Sequence, residues 1–339
     1  MNYNKTLRPE KQRVNQLKRE NRQYPADTNV PGISEFFVRK LLKKIKTLPH
    51  NVEETGEKVA FQGLKEILSL YQGYRNFLSA CHEQHFKEAF QQKILFLTNQ
   101  SALCRYSYEK PRGYPGDFGL MSLIWDGRRG PRYCGYTGLG AYLNAFTLET
   151  ENCRANEYRV YYLKERLIKG GYKTIASIGS GSAIEIVEAV RDGYLKDSEI
   201  HLFDQDDEAL DTASFVLRDF PGKLVLRRGN IIRTILKEKD ESFNFMYSSG
   251  MFDYFDIMSA KKLTKRLWGK LALGGCLLIT NAHPENPTRL WMEYVADWYL
   301  QYKDSEEMKS LSEDLNDLKD THLDMDPFGV YQYLSLYKK

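Results

Sequence analysis

No stretch of the chain's 339 residues approaches the length that a transmembrane helix needs, roughly 20 consecutive apolar residues, so no helical membrane span is expected. The opening residues, Met1-Asn2-Tyr3-Asn4-Lys5, lead into polar sequence without a secretory apolar segment, and the expected compartment is the cytoplasm. Cysteine is sparse: Cys81, Cys104, Cys134, Cys153 and Cys276 are scattered, odd in number and without a Cys-x-x-Cys pair. That argues against a disulfide framework and against a structural zinc site. Nor does one sign of charge dominate, since the net charge is +4. Its distribution is uneven, however. Residues 1–50 carry twelve Lys/Arg against four Asp/Glu, whereas the segment from Asp304 to Asp326 is acidic. A basic arm can touch nucleic acid or anionic lipid, but is more commonly a solvated tail.

What is present describes a globular protein long enough for two domains, with 42% hydrophobic and 28% charged residues. Residues 1–30 are polar and charged and run out between Pro25 and Pro31, which reads as a flexible basic arm. From Ile33 to about Asn99 apolar residues recur at helical spacing. Phe36, Phe37, Leu41, Leu42 and Ile45 form one such face, and Phe86, Phe90, Ile94, Leu95 and Leu97 another. Between Tyr106 and Gly140 the texture becomes rich in Gly, Pro, Arg and Tyr, as in a long functional lid loop. The helical region with its lid is therefore expected over 31–150, ahead of a catalytic domain over 151–339. A helix from about Asn152 to Ile168 stops at Gly170-Gly171.

Beyond it, strands alternate with helices. Strands are expected at Thr174–Ile178, Glu199–Phe203, Lys223–Arg227, Phe243–Tyr247 and Gly275–Thr280, with helices at Ala183–Val190, Asp207–Leu217, Met258–Leu271 and Pro287–Ala296. A sixth strand at Trp298–Tyr302, an acidic helix and a last strand at Val330–Tyr337 close the chain. The expected fold is α/β: a Rossmann-like seven-stranded sheet of the class I methyltransferase type, last strand antiparallel, with an N-terminal helical region.

The strongest motif is Thr174-Ile-Ala-Ser-Ile-Gly179-Ser180-Gly181-Ser182-Ala183-Ile-Glu185, lying where the first strand ends and a helix begins. Glycines there allow a tight turn and close approach of a ligand. About 20 residues on, the second strand ends in Asp204-Gln205, placing a carboxylate where it can accept hydrogen bonds from two ribose hydroxyls. A nicotinamide fingerprint would want a third glycine where Ile184 stands. Gly-x-Gly followed by a small residue is the usual form for S-adenosylmethionine. In Arg228-Gly229-Asn230-Ile231, after the third strand, Asn230 is placed to reach the adenine amino group, with Ile231 beside it; Ser248 and Ser249, after the fourth, lie beneath the transferred methyl. Many such enzymes carry an acid two positions before the first glycine. Here that position is Ser177, so other groups must hold the methionine amine.

Three stretches resemble a bacterial methyltransferase family associated with biosynthesis of the extracellular factor 3-hydroxypalmitic acid methyl ester. They are Lys110-Pro-Arg-Gly-Tyr-Pro-Gly-Asp117; Tyr247-Ser-Ser-Gly-Met-Phe-Asp253-Tyr254; and His283-Pro-Glu-Asn-Pro, running on to Trp291-Met-Glu-Tyr and Asp297-Trp298. The likeness covers roughly residues 75–339. It implies S-adenosylmethionine as methyl donor and a carboxylate or other small-molecule acceptor.

An ionised carboxylate needs no general base, only a cationic or hydrogen-bonding clamp, for which Arg112 and His283 are candidates. For a hydroxyl or amine acceptor, His283, Asp117 or Asp253 would take the proton; Tyr114 belongs to the same lid motif. Each has a structural alternative. Asp117 is placed to cap a helix, His283 to brace a loop, and Asp253 and Tyr254 to pack. Trp291, Tyr294 and Trp298 read as core. His82 and His85 share a helical spacing found in metal sites, but no third ligand accompanies them and no metal is expected. Two other readings stay open: a nucleic-acid methyltransferase using the basic arm, and a non-catalytic S-adenosylmethionine-binding subunit. The first lacks the Asn/Asp-Pro-Pro-Tyr/Phe type of motif used on base amines. Partners considered are a small-molecule substrate and a homodimer.

Overall fold

Short runs of β-branched and aromatic residues, each bounded by turn residues, set the strands of the chain's second half. A computed structural model describes residues 35–46, 57–75, 80–130, 135 and 137–339; the expected basic arm and the side chain of His82 lie outside them. The strands are β1 (Thr174–Ile178), β2 (Glu199–Asp204), β3 (Lys223–Arg228), β4 (Phe243–Ser248), β5 (Leu271–Ala282), β6 (Leu318–Met325) and β7 (Tyr331–Lys338). They form one seven-stranded sheet in the order β3-β2-β1-β4-β5-β7-β6. β1 to β5 pair in parallel, and β7 runs antiparallel to both β5 and β6. This is the class I methyltransferase topology expected from the sequence. The direction of winding reverses between β1 and β4, and such a reversal opens a crevice at the carboxyl ends of the strands.

β1, β2 and β4 are buried along nearly their whole length, as strands must be when helices cover both faces. Ile178, Phe203, Met246, Leu277 and Leu334 pack with Leu263, Leu267 and Trp268 of the helix Ile257–Lys270. At about 25 cal/mol per Å² of apolar surface, a buried Leu or Phe contributes roughly 1.5–3 kcal/mol, so this layer positions the strand ends firmly.

The sixth strand does not lie where the sequence pattern suggests. Trp298–Tyr302 forms no strand, and the acidic stretch expected as helix supplies β6 itself; only Ser305–Ser310 is helical there. The reason is position. β6 is the sheet edge and pairs only with β7, so Lys319, Asp320 and His322 stay exposed and no apolar run is needed. Charge on an edge strand also discourages pairing with other chains. The β6–β7 hairpin is held by Asp326, whose carboxylate accepts from the backbone N of Phe328 at 2.7 Å, of Val330 at 3.3 Å and of Tyr331.

The chain divides into two compact units. The first comprises the described residues up to Pro115, Gly130–Thr150 and Pro287–Trp298; the second comprises Gly116–Arg129, Glu151–Asn286 and Tyr299–Lys339. In the first, Phe37, Leu41, Phe61, Phe90, Phe146, Trp291 and Tyr294 share a core. Trp291 and Phe146 meet edge-on at 5.0 Å, and the Trp291 indole N–H donates to Thr147 Oγ1 at 3.1 Å. These aromatics are core, as the sequence pattern implies. The stretch expected to be a lid loop is largely helical: Ala102–Glu109, Phe118–Arg129 and Gly138–Leu148. Pro111, Gly113, Pro115 and Gly116 mark the turn between the first two of these helices. Tyr158 and Tyr162, on the helix Glu151–Gly170, pack on Tyr333 of β7.

Candidate cofactor and acceptor site

The turn after β1 is built by positive φ. Gly179 and Gly181 lie at φ 71° and 52°, and Ala183 at 51°, immediately before the helix Ile184–Arg191. Both Gly179 N and Ser180 N donate to Phe203 O, at 2.8 and 3.0 Å. A Cβ at Gly179 would come within 3.2 Å of the Met251 Cβ, so glycine serves both the backbone angle and the close approach. Asp204 ends β2, buried. Its Oδ2 accepts from Gly181 N at 2.7 Å and its Oδ1 from Asp206 N at 2.9 Å. Burial pushes its carboxyl up, against the pull of these backbone N–H groups. The Gln205 backbone contributes a further hydrogen bond to the same carboxylate, which stands at the carboxyl end of β2 as an acceptor-only group of the kind a ribose diol can donate to. Gln205 is exposed beside it.

Asn230 is exposed and caps the short helix Ile231–Ile235, its Oδ1 accepting from Arg233 N at 3.1 Å. With the oxygen engaged in the cap, the side chain's remaining polar group is the amide N–H₂, a donor.

The ends of β4 and β5 are knitted together. Ser248 is fully buried and its hydroxyl donates to Ile178 O at 2.9 Å, joining β4 to β1. Ser249 is half-buried. Gly250 N donates to Thr280 Oγ1 at 3.0 Å. Asp253, on a 3-10 turn spanning Met251–Tyr254, accepts from Ala282 N at 2.7 Å, which brings it to the residue preceding His283. Burial raises the Asp253 carboxyl to about 6, against the Ala282 hydrogen bond and the fields of Arg159 and Lys303. Lys303 is buried too, and its ammonium donates to Phe252 O, Phe255 O, Asn281 Oδ1 and Gln301 O. His283 accepts from Glu285 N at 3.2 Å through Nδ1. In the neutral ring this leaves the proton on Nε2, which therefore offers a donor.

Thus Asp253 is tied to the residue before His283, and both belong to the unit that carries the glycine turn. Asp117 belongs to that unit as well. It is 2% exposed and its Oδ1 accepts from Leu120 N at 2.8 Å, which makes it the cap of Phe118–Arg129. Phe118 in turn lies 3.4 Å from where a Cβ on Gly181 would stand. Arg112 and Tyr114 are half-buried in the other unit. Lys110, from the same motif, pairs with Asp297 at 2.6 Å, so residues of two of the three resembling stretches meet.

One residue of this region escapes the sequence motifs. Arg159, 7% exposed on the helix Glu151–Gly170, aims Nη1 to within 3.3 Å of where a Cβ on Gly250 would stand. Its signal is nonetheless present: Asn152, Ala155, Asn156, Arg159, Leu163 and Leu167 share the buried face, and an arginine on such a face calls for a partner. Glu185, which closes the glycine motif, is buried in the first turn of the helix after the glycine loop and accepts from Tyr247 OH at 2.6 Å.

The chain matches no protein-family model and no curated protein. Solved structures are similar to it. A possible exported protein from Bordetella parapertussis superposes with a TM-score of 0.54 at 14% identity, over 91% of this chain and 96% of that one. The magnesium protoporphyrin IX methyltransferase of Synechocystis gives 0.44 at 9% identity, over 57% of this chain and 88% of that one. A SAM-dependent methyltransferase from Archaeoglobus fulgidus gives 0.42 at 14% identity, over 53% and 94%. At these identities the likeness is one of fold alone.

Proposed function

We propose that the chain is an S-adenosylmethionine-dependent methyltransferase acting on an O or N atom of a small-molecule acceptor. One observation carries the reading: a buried carboxylate, Asp204, closes β2 and is hydrogen-bonded to the glycine turn after β1, at the carboxyl ends of a sheet wound in the methyltransferase order. A glycine turn alone would serve a tight strand-to-helix connection. A carboxylate held against that turn at the end of β2 is placed to accept from a ribose diol as well.

S-adenosylmethionine brings a methyl group already activated by its sulfonium. The residues present would then bind and orient. The Gly179–Ser182 turn would cradle the methionyl part, Asp204 and Gln205 the ribose, and Asn230 and Ile231 the adenine. Ser248 and Ser249 would border the methyl. Holding the acceptor lone pair in line is worth several kcal/mol of barrier, and exclusion of water adds to it. Asp253 and His283 stand at the β4 and β5 ends. His283 Nε2–H would steady an anionic acceptor, and an ionised Asp253 would take a proton from a hydroxyl or amine. Arg112, Tyr114 and Asp117 remain candidates from the sequence motif. The sequence resemblance favours a carboxylate, of the fatty-acid kind, as acceptor.

The test is calorimetry on the ligand-free chain with S-adenosylhomocysteine, followed by incubation with labelled S-adenosylmethionine and a metabolite extract and identification of the product by mass. Binding and a labelled small molecule are expected. Heat with a nicotinamide dinucleotide and none with S-adenosylhomocysteine would refute the reading.

A further inference from the structure

We propose that Arg159, together with the Tyr333 hydroxyl, forms a buried carboxylate-binding subsite beside Gly250; the inference rests on the methyltransferase reading for which carboxylates reach it.

The guanidinium is 7% exposed, yet its protein partners use only part of it. Nη2 donates to Asn156 Oδ1 at 2.8 Å and touches Met121 Sδ at 3.6 Å, and the Tyr331 ring lies under the group at 4.6 Å. Among the described residues Nε and Nη1 donate to nothing, and no carboxylate forms an ion pair with Arg159. The carboxylates in its field are committed elsewhere: Asp253 Oδ1 to Ala282 N, and Glu185 Oε1 to Tyr247 OH. An unpaired buried guanidinium is costly, several kcal/mol for the ion alone, and a planar fork of donors is matched best by a carboxylate.

The direction is set by Gly250. At φ 102° it follows β4, and a side chain there would press on Nη1 at 3.3 Å and touch Asp253 Oδ2 at 3.7 Å. Glycine thus leaves open the approach to Nη1 from the crevice at the strand ends. A second, independent observation comes from β7. The Tyr333 hydroxyl is fully buried without a hydrogen-bond partner, although Tyr333 lies on the same strand face as Tyr331 and within the field of Arg159. A buried donor of this kind is seldom left unmade. An incoming carboxylate would take one hydrogen bond from the guanidinium and another from this hydroxyl.

Two carboxylates could occupy the subsite: that of the donor's amino-acid moiety, or that of an acidic acceptor. Calorimetry on the full chain separates them. Wild type, R159K and R159Q are titrated with S-adenosylhomocysteine and with methylthioadenosine, which keeps the nucleoside and thioether but has no carboxylate. A second arm titrates acetate, octanoate and palmitate, with and without S-adenosylhomocysteine. The expected result is a loss of tenfold or more in R159Q, partly restored in R159K, for one carboxylate ligand, with methylthioadenosine unchanged. Loss for S-adenosylhomocysteine assigns the donor; loss for the acids assigns the acceptor. If R159Q is unfolded by circular dichroism, R159K carries the comparison. Wild-type affinities in the arginine variants, an equal loss for methylthioadenosine, or a wild type that binds no carboxylate at all would overturn the proposal. Failure of the broader reading looks different: the wild type would then bind neither S-adenosylhomocysteine nor methylthioadenosine, and the acid arm alone would decide.

Discussion

Asp204 Oδ2 and Gly181 N are joined by a 2.7 Å hydrogen bond, so one carboxylate ties the end of β2 to the turn after β1. Its other oxygen holds Asp206 N, at the start of the helix Asp207–Val216. The carboxylate proposed to read a ribose is therefore oriented by the backbone on both sides.

Asp204→Ala should weaken S-adenosylhomocysteine binding by about 1–3 kcal/mol, roughly five- to 150-fold, through loss of hydrogen bonds to a charged acceptor. Methylthioadenosine should suffer equally, since it carries the same ribose. Calorimetry on both ligands checks this. Unchanged affinity in a folded Asp204→Ala variant would remove the ribose from this position.

Gly179→Ala places a Cβ 3.2 Å from the Met251 Cβ at a φ of 71°. The backbone angle alone costs an L-residue about 1–2 kcal/mol. The variant should melt lower and bind the nucleoside more weakly. Adding Met251→Ala should recover the steric share but not the backbone share, giving a double-mutant coupling that a thermal-melt cycle measures. Strict additivity would mean that the two residues do not press on each other.

The glycine turn and Asp204 are legible in the sequence because each requirement is local: positive φ at fixed positions, and a carboxylate at the end of a strand with a clear β-branched pattern. The edge strand is not. Leu318–Met325 owes its structure to pairing with β7, and its polar outer residues give a pattern close to that of an acidic helix. Arg159 escapes for a related reason. Its importance comes from Gly250, far along the chain, and only its place on the buried face of an amphipathic helix hints at it. Asp117 shows the reverse case: the motif draws attention to it, and the geometry displays a helix cap.

Asp253 gives a pH signature. Its carboxyl is raised to about 6 in the fold, against an ordinary value of about 3.9 in the unfolded chain. The folded state therefore binds more protons between those values, and stability falls as pH rises through that window. The ceiling is about 3 kcal/mol for a shift of this size. Asp253→Asn keeps a carbonyl for Ala282 N but cannot ionise. Relative to wild type, the variant should gain stability from pH 4 to pH 7, measured by denaturant unfolding at both. A stability difference that does not move with pH, or moves the other way, would exclude a raised Asp253.

Lys110 and Lys87 converge on Asp297 at 2.6 and 3.2 Å, within the helical unit. Burial alone would raise the Asp297 carboxyl; the hydrogen bonds from Lys110 and Lys87 outweigh it and hold the group below its ordinary range. The sign is then opposite to that of Asp253. The contribution is present above the unfolded value of about 3.9 and disappears as pH falls through the lowered folded value. Side-chain exposures of 22% for Lys110 and 33% for Asp297 mean solvent screens the pair, so about 1 kcal/mol is the scale. Lys110→Ala should lower the melting temperature by a few degrees near neutrality and by progressively less toward pH 3. Removing Lys87 as well should cost more than the two single losses added together, because either lysine alone still neutralises the carboxylate. Melts across pH for the single and double variants test both statements. A Lys110→Ala deficit that persists undiminished at low pH would show that the lysine acts through its packed methylene stem rather than its charge.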